Sequence, residues 1–241
     1  MKILAIDTSG MVASAAVLTE EKILGELTIN NKKTHSQTLL PMIDTLMKML
    51  EMEVNDVDLL AVASGPGSFT GLRIGSATAK GLALACNKQI VSVPTLEGLA
   101  YNVTSSKSLI CSIMDARNNQ VFAGVYRFEQ GQLKVVMEQT AIIVDDLVQT
   151  INEWKQPVIF VGDGADVYKA KFAENITVPF EVAPMHTNRQ RASAVGMAAL
   201  RMVAEGKIET ADEHIPEYLR LSQAEREMKE RMERQVNQKN S

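Results

Sequence analysis

Apolar and polar positions along the first thirty residues follow the pattern of short strands. The segments Ile3–Asp7, Ala13–Leu18 and Ile23–Ile29 are mostly apolar, and the turn-forming stretches Thr8–Gly10 and Thr19–Lys22 separate them. Consecutive strands joined by such short connections pair in antiparallel order. The pattern therefore predicts an antiparallel meander at the beginning of the chain.

The hydrophobic spacing then changes to that of a helix. Apolar residues recur at intervals of three and four, which is the spacing of one helical face. They are Leu39, Leu40, Ile43, Leu46, Met47 and Leu50. Pro41 lies early in this run and lacks the N–H group that an interior helical turn uses. We therefore expect the helix to begin near Leu40 or to bend there, with Thr34 or Ser36 as its cap.

A strand, a glycine-rich loop, a helix and a second strand come next. The strand is Leu59–Ser64, the helix runs from about Gly71 to Ala85, and the second strand is Ile90–Val93. Strand, helix and strand in this order predict a parallel crossover.

The second half of the chain repeats this order of elements. Strands are predicted at Ser108–Arg117, Val121–Phe128, Leu133–Gln139 and Pro157–Gly162, and helices from Val144, up to about Glu174 and at Arg191–Glu205. We interpret the chain as α/β, with two ribonuclease-H-like lobes of mixed sheets flanked by helices, at 1–104 and 105–221. The charged residues 222–241 are interpreted as a solvated helix or a disordered tail rather than a binding arm.

The amino-acid composition and charge disfavour several classes of function. The net charge is −4, which does not favour binding of a nucleic acid backbone by this chain alone. Cys86 and Cys111 lie in apolar runs without metal-ligand spacing, which indicates a reduced intracellular protein and gives no indication of zinc. The N-terminal segment resembles a strand rather than a signal peptide, and no apolar run reaches the length of a membrane span. We expect a cytoplasmic protein without a membrane partner.

The glycine loop, with the sequence GPGSFTG, has two interpretations. Backbone N–H groups at a helix N-terminus bind anions, so Gly65, Gly67 and Gly71 together with Asp7–Ser9 form a candidate vestigial nucleotide or anion loop. The loop lacks the ending of a P-loop, however, and a strand-to-helix turn uses glycines anyway. Spacing alone favours turn geometry.

Acidic and histidine residues do not form a recognisable catalytic set. Asp7 ends the first strand, where an acid can meet a metal or phosphate or can cap a turn, and Asp115 and Asp163 are its nearest counterparts in the second half. We expect His35 to help start a helix and His186 and His214 to lie on the surface. No catalytic or metal-binding residue is predicted.

The helix after the glycine loop is apolar on nearly all sides, and the preceding helix carries a second, partly apolar strip. Either both are buried tightly on their own sheet, or together they form half of a four-helix interface. We favour the interface. Its candidate residues are Leu39, Met42, Ile43, Leu46, Met49, Arg73, Ile74, Ala77, Lys80 and Gly81.

The motifs MKILAIDTSG, HSQTLLPMI, GPGSFTGLRIG and PEYLR resemble the TsaB (YeaZ) family over Met1 to about Arg220. The resemblance implies two lobes of the actin-like ATPase class and a non-catalytic scaffold. This scaffold supports TsaD, together with TsaE, in threonylcarbamoyl transfer to the adenosine next to the anticodon of ANN-decoding tRNAs. It implies pairing with TsaD through the N-terminal lobe. We expect the exposed apolar strip to form a homodimer in the absence of TsaD. The acidic balance of the chain predicts contact with tRNA only through the complex. We expect no cofactor on the isolated chain, with any nucleotide at the heteromeric interface.

The chain departs from the TsaD pattern at the metal ligands. TsaD has His-Met-Glu-Gly-His where this sequence has Thr95 to Leu99, and neither threonine nor leucine supplies an imidazole nitrogen. A rival interpretation is a nucleotide-hydrolysing or phosphotransfer enzyme that uses Asp7, the glycine loop and the GDGA segment. Direct tRNA binding is a weaker third interpretation.

Overall fold

The computed structural model describes residues 1–31, 33–103 and 107–219. The first half contains β1 (Lys2–Asp7), β2 (Ala13–Thr19), β3 (Ile23–Ile29), α1 (His35–Met49), a 3-10 turn (Val54–Asp56), β4 (Leu59–Gly65), α2 (Phe69–Cys86), β5 (Gln89–Pro94) and α3 (Thr95–Ala100). The strands form one sheet in the order β3-β2-β1-β4-β5. The pairs β1–β2 and β2–β3 are antiparallel, and β4 is parallel to both β1 and β5.

The side chains of β1 alternate between the two faces of this sheet, and different helices cover the two faces. Leu4 and Ile6 point to the side covered by α1 and α2, whereas Ile3 and Ala5 point to the side covered by a helix from the end of the chain. Successive side chains of a strand face opposite ways, and both faces of this sheet are covered, so Ile3–Ile6 are all apolar. The sheet is therefore a buried middle layer.

The second half contains β6 (Leu109–Asp115), β7 (Gln120–Glu129), β8 (Gln132–Ile143), α4 (Val144–Trp154), β9 (Val158–Val161), α5 (Asp163–Val167), α6 (Lys169–Asn175), β10 (Phe180–Val182) and α7 (Ala192–Ala204). Its sheet has the order β10-β9-β6-β7-β8, which is the same topology as the first sheet. Two such mixed sheets confirm the ribonuclease-H-like lobes and the actin-like ATPase architecture.

Two helices cover the sheet of the opposite half. Leu96 and Leu99 of α3 belong to the core on one face of the second sheet, and Val195 and Ala198 of α7 belong to the core on one face of the first sheet. The lobes predicted at 1–104 and 105–221 therefore each hold one sheet, but they exchange these two helices. The exchange follows from packing, since each sheet face needs an apolar cover and the crossing helix supplies it.

Several elements differ from the predicted ones. Helix α1 begins at His35 and keeps Pro41 inside its first two turns. Thr34 occupies the cap position, but its side chain does not cap the helix backbone. The apolar pattern predicts neither the six-residue α3 nor the three-residue β10. The tail predicted at 222–241 lies outside the described residues. Within the described ranges, no helix combines the length and apolar character that crossing a membrane requires.

Candidate functional site

The glycine loop lies directly against the turn that follows β1. Thr8 Oγ1 donates to Gly71 O at 2.7 Å, and Ser68 N donates to Ser9 O at 2.7 Å. A Cβ atom on Gly71 would lie 2.1 Å from Thr8 O, and one on Gly67 would lie 2.4 Å from Ser9 O. Backbone contact with the β1 turn thus explains these two glycines without a bound anion.

The third glycine of the loop, Gly65, is explained by its backbone conformation and by a close contact. Its φ is +127°, a conformation that side chains rarely adopt, and a Cβ atom there would lie 2.1 Å from Glu217 O. The structure thus brings all three loop glycines beside Asp7–Ser9 or the end of the described chain. These contacts favour the turn interpretation of the loop.

Asp7 is buried at the end of β1 and caps the following turn. Its Oδ1 accepts hydrogen bonds from Ser9 N at 2.8 Å and from Ser9 Oγ at 2.6 Å. Burial raises the pKa of the Asp7 carboxyl to about 6, although the Ser9 hydrogen bonds and nearby His35 act in the opposite direction. His35 Nε2 donates to Gly10 O at 2.9 Å and so ties the beginning of α1 to the same turn.

The acids of the second half lie together at its own sheet end. Asp115 Oδ1 accepts from Arg117 N at 2.9 Å and from the Tyr168 hydroxyl at 3.3 Å. Burial raises the pKa of the Asp163 carboxyl, Arg189 opposes the rise, and Asp115 adds to it. Across residues 1–31, 33–103 and 107–219, no three His, Cys, Asp or Glu side chains converge as a metal site.

The segment that corresponds to the TsaD metal motif lies in the core. Thr95 is fully buried and its Oγ1 accepts from Gly65 N at 3.1 Å, while Leu96 and Leu99 pack against the second sheet. Glu97 is buried and forms an ion pair with Arg201 of α7. This segment joins the two lobes, and its side chains at the two ligand positions offer no imidazole.

A cavity of about 950 Å³ lies between β3 and the segment before α7. Most of the charged side chains that line this cavity form ion pairs with each other. Arg191 pairs with Glu26, and Arg189 lies 2.6 Å from Asp166. The lining contains none of Asp7, the glycine loop or the GDGA acid Asp163. The residues of the rival phosphotransfer interpretation therefore do not meet in this cavity.

The interface residues predicted on α1 require correction. Leu39, Met42, Ile43 and Leu46 are at most 4% exposed. Leu39, Ile43 and Leu46 belong to the core beneath the helix. These three face the first sheet, because α1 presents its widest apolar face to that sheet, and Met42 is likewise buried within its own chain. Of the predicted α1 residues only Met49 is on the surface, with 73% of its area exposed.

The predicted residues on α2 are mostly external. Arg73, Ala77 and Gly81 are exposed and follow one another at helical spacing, whereas Ile74 is half-buried against the core. A Cβ atom on Gly81 would meet nothing within 4 Å. Lys80 is half-buried, and its Nζ donates to His214 O at 3.0 Å. Lys80 thus holds a neighbouring segment of its own chain.

Two exposed leucines on these helices were not among the predicted residues. Leu40 of α1 is 55% exposed and Leu84 of α2 is 62% exposed. Leu84 continues the exposed spacing of Ala77 and Gly81, so helical periodicity was an available signal, whereas nothing in the sequence separates Leu40 from its buried neighbours. The two helices contact each other on the same face of the sheet. We call six of their exposed residues the docking face: Leu40, Met49, Arg73, Ala77, Gly81 and Leu84.

Sequence reasoning also missed the segment after α7, residues 207–219, which we call the strap. His214 was predicted to lie on the surface, but it is 1% exposed because its ring packs beside β5. His214 Nδ1 donates to Glu209 Oε1 at 2.8 Å and lies 2.7 Å from Ser92 Oγ. His186 is exposed, as predicted.

Comparison with known proteins identifies the family. A family model described as TsaD, tRNA N6-adenosine threonylcarbamoyltransferase, matches residues 22–228. The tRNA threonylcarbamoyladenosine biosynthesis protein TsaB of Bacillus subtilis (strain 168) is 34% identical over 93% of this chain and 96% of that protein. TsaB of Escherichia coli (strain K12) is 28% identical over 91% of this chain and 95% of that protein.

Solved structures agree with this assignment. YeaZ from Pseudomonas aeruginosa has a TM-score of 0.76 and 25% identity, over 90% of this chain and 99% of that chain. A second structure, described as an uncharacterized protein from Pseudomonas aeruginosa with similarity to peptidase YeaZ, has a TM-score of 0.77 and 25% identity, over 91% of this chain and 99% of that chain. Together with the sheet topology and the sequence matches, these likenesses show that the chain belongs to the TsaB (YeaZ) family.

Proposed function

We propose that this chain is a non-catalytic subunit that pairs with a TsaD-type transferase. In that pairing it supports threonylcarbamoyl transfer to the adenosine next to the anticodon of ANN-decoding tRNAs. TsaD carries the transfer chemistry, TsaE acts as the ATPase, and this chain meets tRNA only through the complex. The docking face is the observation on which the proposal rests.

The docking face has the composition of a helix-pairing surface. Met49, Leu84 and Leu40 are each more than half exposed on adjacent helices. Ala77 and Gly81 lie one turn apart on α2, and such small residues let a partner helix approach closely. Leu84 lies on the same side of α2 as these two residues, whereas Leu40 and Met49 lie about half a turn apart and flank the exposed side of α1. Exposed apolar residues on a monomer mark an interaction surface. A partner with two similar helices would complete a four-helix contact.

The environment of the other candidate groups supports a non-catalytic role. Thr95 and Leu99 occupy the positions of the TsaD metal ligands, and both are committed to core packing. The glycine loop is occupied by backbone contacts to the β1 turn. We propose that the isolated chain carries no nucleotide, and that a nucleotide in the complex lies at the boundary with the partner.

Without a partner, the same face provides an isologous contact between two copies. Burial of its apolar side chains favours a dimer, and a two-fold axis is the simplest way to pair one face with itself. We propose a homodimer that the TsaD-type subunit displaces. Light scattering at micromolar concentration tests this, since a strictly monomeric mass contradicts it.

The decisive experiment is reconstitution of threonylcarbamoyladenosine formation. A TsaC-type synthase, TsaD and TsaE from the same organism are combined with tRNA, with and without this chain. We expect product only with this chain, no product with Ala77→Asp, and normal product with the matched control Ala170→Asp on the exposed side of α6. Equal product without this chain contradicts the proposal, and ATP turnover by the isolated chain favours the phosphotransfer alternative.

A further inference from the structure

The strap is fastened to the first lobe at both of its ends. Near its beginning, Ile90 N donates to Glu209 O at 2.8 Å and Glu209 N donates to Ile90 O at 2.9 Å, which adds one antiparallel bridge to β5. Near its end, Glu217 N donates to Ser64 O at 2.7 Å. Tyr218 packs on Phe69 of α2 with ring centroids 4.6 Å apart. These contacts fix the path of the strap along α2.

The middle of the strap is held by the buried ring of His214. The side chain of His214 is fully buried, and it bonds to Glu209 while Ser92 lies within hydrogen-bond distance of the same nitrogen. Lys80 of α2 holds the His214 carbonyl. Because Lys80 lies next to Gly81 in the helix, this bond places the centre of the strap beside the docking face.

Ile215 follows His214 immediately and points to solvent with 74% of its area exposed. Pro216 restricts the backbone of Ile215 to an extended conformation. The backbone at this position has already lost conformational freedom that binding would otherwise remove. Interfaces concentrate their binding energy in a few anchor residues that become buried in the complex.

We infer that the strap is the second part of the partner surface, with Ile215 as its anchor and His214 as the residue that positions it. This inference rests on the proposed function, and the occupant is the same TsaD-type subunit that covers the docking face. A partner that covers α2 from Arg73 to Leu84 passes the point where Lys80 holds the strap. The TsaD family model matches this chain, so that subunit has a related pair of helices to lay against this surface.

The test measures binding of the purified TsaD-type subunit to four forms of the full chain by calorimetry. We expect Ile215→Asp to weaken binding about tenfold or more, Ala77→Asp to abolish it, and Met185→Asp to leave it unchanged. Met185 is the matched control, because it is 92% exposed and lies in the second half of the chain. Thermal unfolding confirms that each variant is folded.

The outcomes separate the inference from the proposed function. Normal binding by Ile215→Asp with loss by Ala77→Asp overturns the strap contact and leaves the proposed function intact. Normal binding by both variants overturns both. Normal binding by Ala77→Asp with loss by Ile215→Asp supports the strap contact and contradicts the docking face. If Ile215→Asp abolishes a homodimer but leaves binding of the TsaD-type subunit unchanged, the TsaD-type subunit is not the occupant of the strap.

The positioning role of His214 has its own test. If His214 acts by holding Ile215, then His214→Leu weakens binding, and the double variant His214→Leu/Ile215→Asp binds no more weakly than Ile215→Asp alone. Additive losses in the double variant overturn the positioning role. His214→Asn, which keeps a donor near Glu209, is expected to restore part of the affinity.

Discussion

Glu97 on α3 and Arg201 on α7 form an ion pair between the two helices that the halves of the chain exchange. The carboxylate is almost wholly buried, with 7% of its side chain exposed, whereas Arg201 is 24% exposed and also reaches Glu205. The pair therefore lies where the two sheets are joined, and its loss should affect the whole fold rather than one lobe.

We expect Arg201→Met to lower the free energy of unfolding by about 3 kcal/mol, because it leaves the buried Glu97 charge without its partner. Lys207→Ala is the control, since it breaks an exposed pair with Glu205 and should change stability by less than about 0.5 kcal/mol. Urea unfolding followed by circular dichroism measures both. Equal stability of Arg201→Met and the native chain contradicts the predicted role of the pair.

Alanine substitutions at two glycines of α2 should change the stability of the chain in opposite directions. A Cβ atom on Gly71 would lie 2.1 Å from the backbone oxygen of Thr8, so Gly71→Ala should destabilise the chain by about 3 kcal/mol. Gly81 has open space around it and lies inside the helix, so Gly81→Ala should stabilise the isolated chain by roughly 1 kcal/mol. Thermal melts of the two variants check the opposite signs. A stabilising Gly71→Ala would contradict the packing explanation for the loop.

Asp7 should make the chain less stable as pH rises. Its pKa is about 6 in the folded chain and 3.8 in the reference state, so the folded chain binds the proton more tightly. The stability linked to this proton is present below about pH 4 and is lost as pH rises to about 6, by on the order of 2 kcal/mol. Asp7→Asn keeps an oxygen acceptor for Ser9 and should be more stable than the native chain at pH 7.

Urea unfolding at pH 4.5 and pH 7 measures this linkage for the native chain and Asp7→Asn. The exposed variant Asp44→Asn serves as control, because it changes the same charge at the surface, in a pair with Lys48. The difference between Asp7→Asn and the native chain should grow from pH 4.5 to pH 7. A constant difference would show that the Asp7 proton is not linked to folding.

Regular elements of this fold could be predicted from local patterns, and long-range contacts could not. The apolar segment Ile3–Asp7 predicts a strand, and the structure forms β1 there. Helix α3 was missed because six residues are too few to show a helical period. The packing of α7 on the sheet of the first half was missed because the apolar character of a helix does not indicate which sheet the helix covers.

The candidate site was predictable at the level of helices but not of side chains. On α1 the apolar residues Leu39, Leu40, Met42 and Ile43 span much of the helix circumference, so periodicity does not show that only Leu40 is exposed. The strap has no periodic pattern at all. Burial of His214 depends on Glu209 and on Ser92, more than a hundred residues earlier in the chain.

Gln139 of β8 should control how firmly the strap is held from the second lobe. Its Nε2 donates to Gly65 O at 3.1 Å and to Glu217 Oε2 at 2.8 Å, and so joins the glycine loop to the end of the strap. Gln139→Glu replaces this donor with a carboxylate that repels Glu217. The Glu217 amide, which is bonded to Ser64 O, should then exchange its hydrogen about tenfold faster, equivalent to roughly 1.4 kcal/mol.

Native-state hydrogen exchange of the full chain measures this effect. Gln149→Glu is the matched control, because it removes a similar side-chain bond to Glu153 on the exposed side of α4. The control should change exchange only within α4, whereas Gln139→Glu should release the amides of Glu217 and of the loop around Gly65 together. Faster exchange at Gly65 alone would mean that the strap is held by its contacts to the first lobe, and that Gln139 does not couple it to the second.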